Sequence, residues 1–129
     1  MTQADAESFL AKAEEYLASA EDNLILERYT VAAGDAIHAG ISAKDAIVTA
    51  LTGTTGKRKD HLAAANELRL ALGQRPITTS ADHAIRELLA AKPDVEYGVA
   101  MLTPTKSTTL VRRARTLVET AINIVRLKQ

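Results

Sequence analysis

Residues 29–53, YTVAAGDAIHAGISAKDAIVTALTG, decide the fold of this chain. Ala33, Ile37, Ile41, Ile47 and Leu51 recur at helical spacing on one side, while Ala32, Ala36, Ala39, Gly40, Ala43, Ala46 and Ala50 cover much of the rest with small groups. A helix with so little side-chain bulk is shaped for close neighbours on several sides. The spacing predicts a helix over about 31–51, stopped by Gly53, and the following TTGKRKDH (54–61) leads through a basic, histidine-tipped turn into the next apolar run.

On either side of this stretch the pattern stays helical. Thr2 can cap a first helix running to about Arg28, with Phe9, Ala13, Tyr16, Leu17, Ala20 and Leu24 as its buried stripe. A third helix is expected over about 59–72, with Leu62, Ala65, Leu68, Leu70 and Leu72 apolar and Gly73 as the stop. Pro76 breaks the chain; Thr79 or Ser80 then caps a short helix through Ile85, Leu88 and Leu89, which Pro93 interrupts. Pro104 closes the next loop. Ser107 begins a last helix whose Leu110, Ala114, Leu117, Ala121, Ile124 or Val125 and Lys128 recur near a seven-residue period, a narrow seam.

With 129 residues, 47% of them apolar, the chain supports one core, so residues 1–129 read as a single domain. Aromatic residues make up only 3%, which leaves Ala, Leu, Ile and Val to fill it and favours helix over strand. There is no cysteine, which excludes disulfides, thiolate metal sites and cysteine nucleophiles. No apolar run is long enough to span a bilayer and none resembles a signal core, so the expectation is a cytoplasmic protein with no membrane partner. The net charge is zero but unevenly spread: residues 1–50 carry three bases and nine acids, leaving thirteen bases and seven acids for 51–129. In an antiparallel bundle such halves neutralise each other side by side, and that reading is preferred to a nucleic-acid face.

Several strings in this order resemble the HEPN superfamily. AEEYLASAEDNLILERY (13–29) is similar to that family's first helix and YTVAAGDAIHAGISAKDAI (29–47) to its second. GKRKDHL (56–62) resembles its turn into the third, and AKPDVEYG (91–98) with RRARTLVETAINIV (112–125) resembles its end. The resemblance implies an all-α, antiparallel up-and-down bundle of four to five helices that pairs as a homodimer. Many members are metal-independent RNases of toxin or defence systems; others are inactive partners or nucleotide-binding modules. The catalytic members carry an Arg, four to six residues, then a His, as a cation for phosphate and a proton carrier. Here Lys92 stands at the Arg position and Tyr97 at the His position. Lysine lacks the planar fork that grips phosphate, and a phenol is a poor base at neutral pH. Arg58 and His61, Arg75 and His83, and Arg28 and His38 do not restore the spacing.

No catalytic residue is therefore assigned. Lys57, Arg58, Lys59 and His61 are the candidates for RNA or nucleotide binding, four potential cations at a helix start. Arg112, Arg113 and Arg115 cannot all face one way and read as a solvated face. The histidines 38, 61 and 83 fall on three segments without a Glu-x-x-His pair, so no metal is expected; Asp35 with His38 is at most half a site, and His38 shares a face with Asp45. The TGTTGK string (52–57) lacks the strand and spacing of a P-loop, and no cofactor is expected. The reading is a non-catalytic, HEPN-like interaction or regulatory protein, a homodimer whose further partner is a protein of a toxin–antitoxin or defence pair. An RNase with an altered site and an RNA- or nucleotide-binding module without turnover are the alternatives.

Overall fold

Thr2 starts the first helix as expected, its hydroxyl accepting from the Asp5 N–H while the Asp5 carboxylate accepts from the Thr2 N–H at 2.7 Å. The computed structural model describes residues 2–55 and 60–128. Five helices carry nearly all of them: α1 (Gln3–Ile25), α2 (Tyr29–Thr52), α3 (His61–Leu72), α4 (Thr78–Tyr97) and α5 (Pro104–Val125). The chain is an all-α helical bundle.

Side-chain contacts fix the directions. Gln3 Nε2 donates to the Val125 carbonyl and Arg115 reaches Glu21, so α1 and α5 run antiparallel. The short turn at residues 26–28 reverses α1 into α2, and the Ser107 hydroxyl donates to the Tyr29 carbonyl at 2.7 Å, which puts the starts of α2 and α5 at the same end. Gly34 faces Val95 and Gly40 faces Leu88, so α4 runs against α2. Thus α1, α2, α4 and α5 form an up-and-down bundle, and α3 lies outside it against α2 and α4.

As the small residues imply, α2 is enclosed, with Ala32, Ala33, Ala36, Ile37, Ala39, Ala43, Ala46 and Ile47 wholly shielded from water. That enclosure uses up the alanine and glycine surface: α1, α3, α4 and α5 of the same chain all pack on it, so a second copy has to dock elsewhere. The stripe of α5 is wider than a seam, since Val111 and Val118 are buried beside Leu110, Ala114, Leu117 and Ala121. Three neighbouring helices demand a broad apolar face.

Four features differ from the pattern-based reading. First, α4 runs through Pro93 instead of breaking there. Proline in a helix interior costs about 3 kcal/mol. It is tolerated because Ala91 and Val95 continue the apolar stripe of Ile85, Leu88 and Leu89 onto the core. Second, α4 starts at Thr78 behind Ile77, without a side-chain cap from Thr79 or Ser80. Third, α5 starts at Pro104, which sits at the helix's first turn where its missing N–H costs nothing, behind Thr103, whose hydroxyl accepts from the Lys106 N–H at 3.1 Å. Ser107 is buried inside the helix. Fourth, Leu62 and Leu70 of α3 face outwards, leaving Ala65, Leu68 and Leu72 to dock it.

Charge is neutralised across the bundle. Glu21 meets Arg115 and Glu14 meets Arg126, each at 2.6 Å, linking acidic α1 to basic α5. Arg113 reaches Glu87 on α4, so the three arginines of α5 do point apart. These partly exposed pairs contribute about 0–1 kcal/mol each and align the helices more than they stabilise them.

Candidate functional site

Of the basic turn, Lys57, Arg58 and Lys59 lie outside the described residues. His61 is the first residue of α3 and half-buried. The Asp60 side chain caps that helix, accepting from the Leu62 N–H at 3.0 Å. A carboxylate there takes a place that a bound phosphate would use.

Lys92 and Tyr97 lie on one unbroken helix. A five-residue step turns a helix by about 500°, leaving the two positions roughly 140° apart. Lys92 is half-buried and Tyr97 is 79% exposed. They do not converge on one phosphate. The residue one turn after Lys92 is Glu96, whose Oε1 lies 3.5 Å from Nε2 of His38 on α2. The His38 ring stacks on Tyr16 of α1, with centroids 5.2 Å apart. Asp35 turns to α1 instead, accepting from the Ser19 hydroxyl at 2.6 Å and from Asn23 at 3.1 Å. Asp45 accepts from Thr55 and meets Lys44, and so does not bond His38. His83 approaches Glu87 at 3.5 Å. Among the described residues no three such side chains gather as a metal site.

A hollow of about 550 Å³ lies between the α3–α4 turn and α5, lined by Arg75, Ile77, Ser80, Glu119, Thr120 and Asn123 among others. Arg75 donates from Nη1 to the Leu72 carbonyl, and the Thr120 hydroxyl donates to the Thr116 carbonyl. These polar groups are drawn to backbone rather than gathered around a shared point.

The most unusual chemistry is apolar. At the end where α1 stops, α2 starts, α4 stops and α5 starts, Ile25, Leu26, Val31, Tyr97, Val99 and Met101 are all exposed. They are six of the nine large apolar side chains that the described residues leave in solvent, so the exposure is concentrated rather than scattered. Val99 and Met101, at 103% and 79%, stand out from the α4–α5 loop. That loop is nevertheless pinned: the Leu102 N–H donates to Thr30 Oγ1 at 2.9 Å, and the Thr30 hydroxyl lies 3.8 Å from the Met101 sulfur. Gly98 enters it with its N–H on the Asp94 carbonyl, where an added Cβ would come within 2.5 Å of that oxygen. The apolar groups are thus held outwards by an ordered backbone.

The turn beside them is strained. The Arg28 N–H bonds the Asn23 carbonyl and the Glu27 N–H bonds the Leu24 carbonyl, the two bonds of a Schellman ending to α1. Its left-handed position, normally glycine, is Glu27 at φ 61°. A non-glycine residue there costs about 1–2 kcal/mol, against about 0.5–1 kcal/mol for the entropy of a glycine. Glu27→Gly should therefore raise stability by up to about 1 kcal/mol, read as a higher urea midpoint at unchanged slope.

Sequence reasoning missed this surface because Val31, Val99 and Met101 look like core residues in a one-dimensional pattern. Charge was easier to anticipate than exposure. No described helix is long and apolar enough to cross a membrane. No protein-family model and no curated protein matches the chain.

Proposed function

We propose that this chain is a non-catalytic helical binding module, similar to the inactive HEPN proteins it resembles, and that it docks a second copy of itself through its apolar end. The observation that carries this reading is the group of Ile25, Leu26, Val31, Tyr97, Val99 and Met101 at one end of the bundle. Monomeric proteins rarely leave such a group together in water, and covering it on two copies gains about 25 cal/mol per Å² of apolar surface removed. The rim suits self-pairing. Glu27 and Arg28 are adjacent and exposed, so a two-fold axis lets the acid of each copy meet the base of the other. Retaining a strained glutamate where glycine is easier fits a charge kept for contact.

The absence of catalysis rests on Lys92 and Tyr97, which stand where a phosphate-gripping arginine and a proton-carrying histidine are expected and diverge around α4.

Light scattering at micromolar concentration tests the pairing. The wild-type mass should be twice 13.8 kDa. Val99→Asp with Met101→Asp should halve it without loss of helix, because both side chains are outside the core. Glu27→Gly should weaken the pairing while stabilising the fold. A wild-type mass of 13.8 kDa at all concentrations removes the proposal of self-pairing and leaves a different protein, such as a toxin–antitoxin or defence partner, for that end.

A further inference from the structure

Helix α3 stands apart in the packing. It packs on α2 and α4 alone, whereas α1, α2, α4 and α5 hold one another without it. A helix of 12 residues is marginal in water by itself, so docking is what orders α3. Its buried face is small, consisting of Ala65, Leu68 and Leu72. Two adjacent polar residues complete the attachment. Asn66 accepts from Nη2 of Arg86 on α4 at 2.9 Å, and Glu67 receives the ammonium of Lys44 on α2 at 3.0 Å.

Lys44 is the unexpected member. It is only 5% exposed, one helical turn from Gly40, Ile41, Ile47 and Val48 on α2. Its Nζ also meets Asp45 at 2.7 Å, and Asp45 accepts from the Thr55 hydroxyl at 2.8 Å. Burial alone pushes the ammonium's pKa down, but the hydrogen bonds and charges of Asp45 and Glu67 outweigh it and hold the pKa above the ordinary lysine value. The two carboxylates are what compensate so deep an ammonium. Separating α3 from α2 pulls Glu67 away; keeping Glu67 but removing its charge leaves Lys44 under-compensated.

We infer that α3 opens as a separate cooperative unit from a persisting four-helix core, and that the Lys44–Glu67 contact is the clasp that sets how often it opens. Opening withdraws Ala65, Leu68 and Leu72 from the α2–α4 side and bares the apolar groups they cover, which makes α3 a releasable cover at a place remote from the pairing end. The device does not depend on how the chain pairs.

Amide hydrogen exchange of the full chain, followed by NMR, tests it. In the wild type, amides of residues 65–72 should exchange through smaller openings than those of α2 around Ala36–Ala46 and of α5 around Leu110–Ala121. Glu67→Gln should speed exchange in α3 by about tenfold or more and leave α5 unchanged, tenfold being about 1.4 kcal/mol. Adding Lys44→Met to Glu67→Gln should slow α3 exchange back toward the wild-type rate, because the under-compensated ammonium is then gone while Asp45 keeps the Thr55 hydroxyl. Equal exchange of α3 and the core in the wild type overturns the inference. So does a uniform rise, or no rise, in Glu67→Gln, or a failure of Lys44→Met to reverse it.

Discussion

Leu117→Ala should lower the unfolding free energy by about 2–5 kcal/mol, the loss expected for a leucine truncated where the surroundings cannot collapse. Leu117 is completely buried on the central face of α5. Its Cδ1 comes within 3.4 Å of where a Cβ on Gly40 would stand, so it fills the crossing of α5 with α2 directly. Large residues are scarce in this core, which is built chiefly of alanine, leucine, isoleucine and valine. Neighbours such as Ala114 and Ala121 have no spare length to reach into the void. Against a total stability of about 5–15 kcal/mol for a domain, this is a large fraction. A urea titration reads it as a lower midpoint at unchanged slope. A loss below about 1 kcal/mol would mean that the crossing relaxes and that packing here is looser than the geometry implies.

The order of helices was legible because each has a strong local signature. Thr2 and Asp5 make a capping box three residues apart, and Gly53 sits in the left-handed conformation that a helix stop requires, at φ 81°. The enclosure of α2 followed from its alanines alone. Boundaries set by tertiary packing were less accessible. Pro93 is a breaker by local rules, and the helix continues through it because Ala91 and Val95 on either side pack on the core. Thr103 and Pro104 carry as good a start signal as Ser107, but the burial of Ser107 against Tyr29 shows only when two distant segments are brought together.

Polar contacts were the least accessible. Nothing in KDA at 44–46 marks Lys44 as buried, and its partner Glu67 lies on another helix; helical neighbours one apart do not normally face each other, yet Asp45 reaches it too. Likewise His38 pairs with Glu96 and stacks on Tyr16, two residues that no helical spacing connects to it. The exposed end was hidden for a different reason. A hydrophobic residue in sequence predicts burial, and whether a bundle's end is covered depends on what lies beyond it.

Gly40→Ala should reverse the sign of its effect according to the residue at 88. In an otherwise unchanged chain the new Cβ would stand 2.5 Å from Leu88 Cδ1, closer than carbon atoms approach. Leu88 is fully buried on α4 and cannot swing into water to make room. Overpacking of this kind costs about 1–3 kcal/mol. Alanine in a helix interior gains at most about 1 kcal/mol over glycine, so the clash wins and the protein is destabilised. Leu88→Val removes the offending Cδ1 at its own cost of roughly 1 kcal/mol for a lost methylene. In that background Gly40→Ala meets no such contact, partly refills the space and keeps the helix gain, so it should stabilise by up to about 1 kcal/mol. Urea midpoints of the four chains in this cycle measure the coupling directly. Strict additivity would show that α2 and α4 shift apart to admit the methyl. The small residues of α2 would then not be what fixes how closely its neighbours pack.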